Sequence, residues 1–139
     1  TEPIAQAFAR YATRPVVPRG GPGAAVRWVP CAESDAVAAA DRQVQRLLEE
    51  GWAPEHVMLL NTGSRHPEHV SRLEHAGRAG YWDSFWDAGD VFYGHVLNTK
   101  GLERPAVVLA VNGFREAERE LRYVGMSRAR DLLVVCGPR

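Results

Sequence analysis

Lys100 is the only lysine among 17 basic side chains. The remaining cations are arginines, which never lose their charge and match carboxylate or phosphate oxygens bidentately. Net charge is also lacking: 17 acidic groups balance the 17 basic ones. A balanced chain has no general attraction to nucleic acid or membrane, so such binding has to come from a local patch. Cysteine is confined to Cys31 and Cys136, each in or beside an apolar run. Without a CxxC or a nearby histidine at ligand spacing, they do not encode a zinc site. Two buried thiols in a reducing compartment are expected, ahead of a disulfide. No apolar run approaches the roughly 18–20 residues of a membrane span, and no signal-peptide pattern is present. The expected location is cytoplasmic. Also missing are a GxxxxGK[S/T] P-loop and an acidic pair after a strand. Nothing in the chain can therefore cradle β- and γ-phosphates or place magnesium.

What is present alternates between strand and helix patterns. Thr1-Glu2-Pro3 suits a helix start, and Ile4, Ala7, Phe8 and Tyr11 follow on one face. A first residue that is already a cap suggests a chain cut from a longer protein. Residues 15–23, rich in proline and glycine, read as a loop. Val26–Val29 reads as a strand. Ser34 and Asp35 then offer caps to a helix with Val37, Ala40, Val44, Leu47 and Leu48 inward, ended by Gly51. Val57–Leu60 is a second strand, apolar on both faces, as in parallel sheets covered by helices.

The polar turn Asn61–His66 follows, and Pro67 opens a helix that ends near Gly77. A polar turn after a strand occupies the position where open α/β sheets bind ligands, and is equally a plain connection. Tyr81, Trp82, Phe85 and Trp86 recur at helical spacing. They read as core or interface rather than as a base-stacking platform. Strands are expected at Val91–Val96, Ala106–Val111 and Leu132–Cys136, with a helix from Phe114 to about Val124. This alternation predicts one α/β domain with a mainly parallel sheet and helices on both faces.

Two short segments carry chemistry. Lys100-Gly101-Leu102-Glu103 places a cation, a bare backbone and a carboxylate within one turn. Lys100 can meet a phosphate, Glu103 can accept from ribose hydroxyls, and Gly101 permits close approach to the backbone. The stretch Leu121–Arg130 reads as a helix leading to a Gly-Met-Ser turn that presents Arg128 and Arg130 before a buried strand. These arginines suit phosphate. They equally suit an ordinary helix end.

Together, "NTKGLERPAVVLAV" and "LRYVGMSRARDLLVV" closely resemble motifs V and VI of the UvrD/Rep/PcrA-like superfamily 1 helicases. In that family the segment is the second, C-terminal RecA-like motor domain (2A). The resemblance is most specific at Lys100–Glu103 and Tyr123–Ala129 and extends more loosely along the whole chain, including "VMLLNTGSR" and "TEPIAQAF".

The resemblance implies a RecA-like P-loop NTPase fold and a role in an ATP-dependent DNA helicase or translocase. Arg128 would be the arginine finger toward the ATP γ-phosphate, supplied across the cleft from the N-terminal RecA-like domain of the same parent chain. Gly101 and Glu103 would complete the ATP site at the ribose. Tyr123 and Gly125 would shape the motif VI turn, and Arg130 would be a solvated neighbour or a phosphate contact. Thr62, Arg65, His95, Asn98 and Lys100 are the candidate contacts to single-stranded DNA. The sequence departs from the family pattern in places: His95 and Leu97 stand where the family commonly has Thr and His, Leu97 cannot hydrogen-bond a phosphate, and Gly63 stands where many relatives carry an asparagine.

ATP and Mg²⁺ would be bound by the full-length parent, with no metal held by this chain and no membrane partner. The whole chain, 1–139, reads as one such domain without the large 2B insertion, inactive alone. The alternative is a non-catalytic RecA-like module that contacts protein or nucleic acid.

Overall fold

The computed structural model describes residues 2–3, 25–86, 89–99, 101–113 and 128–138. Five strands form a wholly parallel sheet: β2 (Ala25–Pro30), β3 (Val57–Asn61), β4 (Phe92–His95), β5 (Arg104–Ala110) and β6 (Ala129–Gly137). The order is β1-β2-β6-β5-β3-β4, with β1 (Glu2–Pro3) added antiparallel at one edge. Pro3 therefore lies in an edge strand and not in the first turn of a helix. An edge suits a residue with no N–H to donate. The helices expected from Ile4 and from Phe114 to Val124 lie outside the described residues.

Every residue of β3 is buried, which its run of apolar residues on both faces requires. One face carries Val57, Leu59, Ala106, Val108, Ala110, Leu132, Val134 and Cys136, packed on helix α1 (Ala36–Glu49). Ala36, Ala39 and Ala40 are buried at that contact, so small side chains bring α1 close to the sheet. The other face carries Met58, Leu60, Phe92, Val107, Leu109, Leu133 and Val135 beneath helix α2 (Pro67–Trp86). Alternation with period two thus feeds two cores, one on each side of the sheet.

Gly51 ends α1 as expected, with φ 102°. Its N–H donates to Leu48 and the Trp52 N–H to Leu47, each at 3.1 Å, the paired bonds of a Schellman motif. The start differs from expectation. No side chain caps α1, and a 3-10 turn over Glu33–Asp35 leads into it instead. β5 begins two residues earlier than its apolar run, with an irregularity between Arg104 and Ala106. Pro105 sits at that irregularity, where a missing N–H costs no ladder bond. β4 stops at His95, one residue short of expectation, because the His95 ring accepts the Leu97 N–H at 3.1 Å and starts a 3-10 turn. Cys136 is buried and Cys31 only half-buried, both as free thiols. Burial raises both thiols, Cys136 to about 12. Among the described residues no helix is long and apolar enough to cross a membrane.

Candidate nucleotide and nucleic-acid sites

Glu103 and Arg128 stand immediately before the adjacent parallel strands β5 and β6. The register pairs Arg104 with Ala129, and the Arg104 N–H donates to the Arg128 carbonyl at 3.2 Å. Two segments far apart in sequence are thereby placed side by side at the amino ends of the strands. Burial lowers the Arg128 guanidinium from its ordinary range, while the Glu103 carboxylate works in the opposite direction. Arg128 Nε is buried, with no hydrogen-bond partner among the described residues. A desolvated N–H of this kind calls for an acceptor. Gly101 is exposed at φ 84°, a conformation that disfavours any side chain. Lys100, Tyr123 and Gly125 lie outside the described residues, and Arg130 is exposed on β6.

Arg104, which the sequence pattern did not single out, fixes this edge from beneath. Its side chain is buried, and Nη1 donates to Val57 at 2.7 Å and to Asp90 at 2.9 Å. Nη2 donates to Phe85 at 2.8 Å, and the guanidinium lies 4.7 Å from the Phe85 ring centroid. Burial lowers this group to about 10, so it stays charged at neutral pH. One cation thus ties the end of α2, the approach to β4 and the start of β3 to the residue after Glu103. An apolar strand preceded by a lone arginine was the available signal.

β4 and β5 run parallel, so the link between them returns from the carboxyl end of the sheet to the amino end. The carboxyl end, where Thr62, Arg65, His95 and Asn98 lie, carries the candidate strand contacts. Thr62 is fully buried: its hydroxyl donates to Gly113 at 3.0 Å, its N–H to Ala110, and its carbonyl meets His95 Nε2 at 3.1 Å. His95 is buried, and the Leu97 N–H donates to its Nδ1. The other nitrogen therefore carries the proton toward Thr62. Burial lowers this imidazole and keeps it neutral. Thr62 and His95 are occupied internally, while Arg65 and Asn98 are exposed.

Gly63 has a steric cause. Its N–H donates to Asn112 Oδ1 at 2.7 Å, and a Cβ there would lie 2.5 Å from the Asn112 carbonyl oxygen. An asparagine does not fit without movement of the loop. Asn112, directly after β5 and also bonded to Ser64, is a second residue that sequence reading passed over.

Helix α2 breaks at Gly77, with φ 72° and ψ 179°. His69 and Tyr81, on either side of the break, stack with centroids 4.5 Å apart. Arg65, His69, Leu73, Arg78, Tyr81, Trp82 and Asn98 line an open pocket of about 550 Å³. The aromatic cluster divides as its half-buried position dictates. Tyr81 is core, Phe85 and Trp82 pack partly against it, and Trp86 is 69% exposed. Among the described residues no cluster of histidine, cysteine and carboxylate side chains is arranged to hold a metal.

No protein-family model matches the chain. No curated protein matches its sequence. Among solved structures it is similar to the C-terminal domain of a possible DNA helicase from Lactobacillus strain WCFS1. The two are 21% identical with a TM-score of 0.51, over 97% of this chain and 83% of the other. At that identity the likeness establishes the fold: a RecA-like α/β domain with a parallel sheet between helices.

Proposed function

We propose that the chain is the C-terminal motor domain of an ATP-dependent superfamily 1 DNA helicase or translocase. Arg128 completes the ATP site of the parent as its arginine finger, Glu103 holds the ribose, and the opposite end of the sheet contacts single-stranded DNA. The observation that carries this reading is the buried Nε of Arg128, without a partner among the described residues, beside Glu103 at the starts of two neighbouring strands. An orphaned guanidinium N–H fits a phosphate oxygen. Its charge would stabilise the charge that develops during phosphoryl transfer. The similar solved domain, belonging to a possible DNA helicase, supports the same assignment.

The N-terminal RecA-like domain of the parent would supply the P-loop, the acidic pair and the Mg²⁺ ligands that this sequence lacks. Closure of the two domains on ATP would then be the step that moves this domain along a strand. At the strand side Arg65 and Asn98 are the direct contacts, with Thr62 and His95 shaping the loop that presents them.

Comparing the isolated chain with the full-length parent tests the division of labour. The parent should hydrolyse ATP faster when single-stranded DNA is added, and the isolated chain should show no turnover. Turnover by the isolated chain that falls on Arg128→Ala, or a parent with no strand-stimulated hydrolysis, would overturn the reading.

A further inference from the structure

We propose that the pocket within α2 takes one base of a single nucleic-acid strand, with Arg65 and Arg78 holding the phosphates that flank it. The proposal rests on the strand-binding reading above and adds residues to it that neither short motif contains.

The break at Gly77 builds the pocket. In a straight helix, residues twelve apart are separated by about 18 Å. His69 and Tyr81 nevertheless stack at 4.5 Å and 7°. The two halves of α2 are therefore bent sharply toward each other at Gly77. Gly80 shows the same approach: a Cβ there would lie 2.7 Å from the Ala76 Cβ. The space between the halves is about 550 Å³ and open to solvent at one side, within the range of small-ligand sites.

Its walls have the chemistry of a base. Trp82 packs on Phe92 at 5.9 Å and edge-on to Tyr81 at 5.0 Å, and lines the pocket while half-buried. Nearby Asn98 offers an amide that can both donate and accept. His69 is only 2% exposed, yet its Nδ1 has no partner among the described residues. Burial first, then the charge of Arg65, lowers this imidazole to about 4, so it lines the pocket as a neutral ring. Such a ring can bond a base edge, which an anion alone would not require. Arg65 and Arg78 are exposed, and no carboxylate among the described residues is paired with either. An aromatic wall between two uncommitted guanidinium groups is the arrangement that stacks a base and holds its backbone. An acidic peptide would use the arginines but leave the ring wall and His69 Nδ1 unanswered.

The test is binding of the full chain to an oligothymidylate of about eight nucleotides, the span of a small single-strand site. A strand of equal length with abasic sugars serves as the comparison. The base-bearing strand should bind about tenfold tighter, the effect of one stacked base. Its titration should shift the Trp82 indole signal by NMR. Trp82→Leu should abolish the difference between the two strands, whereas Arg78→Ala should weaken both about equally. A strand carrying 5-iododeoxyuridine should photocrosslink at Tyr81 or Trp82 in the unsubstituted chain, which keeps the test independent of any folding defect in Trp82→Leu. Equal affinity for both strands, or crosslinks confined to other residues, would overturn the pocket and leave strand binding intact. Binding of neither strand would overturn both.

Discussion

His69 and Tyr81, twelve residues apart on α2, stack with ring centroids 4.5 Å apart and planes 7° from parallel. That contact exists because Gly77 adopts φ 72° and ψ 179°, a region open in practice only to glycine. Gly77→Ala has open space for its methyl group, so any cost comes from the backbone alone. The expected loss is about 1–3 kcal/mol of stability, read from the urea midpoint. A substitution with no effect would show that the hinge conformation is not required.

Arg104 supports a second prediction. Replacing it with methionine keeps much of the apolar stem but strands the Val57, Asp90 and Phe85 carbonyls that it now serves. Unsatisfied buried groups cost about 1–3 kcal/mol each, so Arg104→Met should lower stability by about 3 kcal/mol or more. Chemical denaturation checks the value. A change below about 1 kcal/mol would mean that water replaces the guanidinium at little cost.

Stability should also fall in acid. His69 titrates near 6.5 when unfolded and at about 4 when folded, chiefly through burial. The unfolded chain therefore binds a proton first as pH falls. The contribution is fully present above pH 6.5 and is lost progressively as pH falls from there through about 4, the folded value. One such group adds at most about 1.4 kcal/mol per pH unit. His95 is lowered in the same direction. His69→Phe, which keeps a ring on Tyr81, should flatten the pH dependence of the denaturation midpoint; an unchanged slope would contradict the assignment.

Much of the fold was legible because strand and helix periods differ. Val57–Leu60 and Leu132–Cys136, apolar on both faces, could only be central strands of a covered sheet. The start of α1 was less legible, since Ser34 and Asp35 are good caps by residue type but make no capping bond here. Glu103 and Arg128 were singled out in the sequence because the family resemblance pairs their two segments, and the register places both just before neighbouring strands. Composition alone could not show that the Arg104–Ala129 register sets Glu103 and Arg128 side by side. The loop after β3 was least legible. Thr62 and Gly63 are held by Gly113 and Asn112, about fifty residues away, and His95 by Thr62, 33 residues away, and no local pattern encodes those distances.

Gly63 offers a compact check of that loop. Gly63→Ala would press a methyl group against the Asn112 backbone oxygen, 2.5 Å from the ideal Cβ. Backbone at both sides leaves little room to yield, so a loss of about 1–3 kcal/mol is expected. Thermal unfolding of the variant checks it, and wild-type stability would show that the loop adjusts freely.

The central claim is that Arg128 acts on the transition state of ATP hydrolysis. Its most direct test is steady-state kinetics of the full-length parent carrying Arg128→Ala, with Arg130→Ala as the control on the exposed neighbour. The account predicts a fall in kcat of roughly 10³- to 10⁵-fold for Arg128→Ala with a much smaller change in KM. Arg130→Ala should stay near the wild-type value. A near-normal kcat for Arg128→Ala, or a loss confined to KM, would contradict the account.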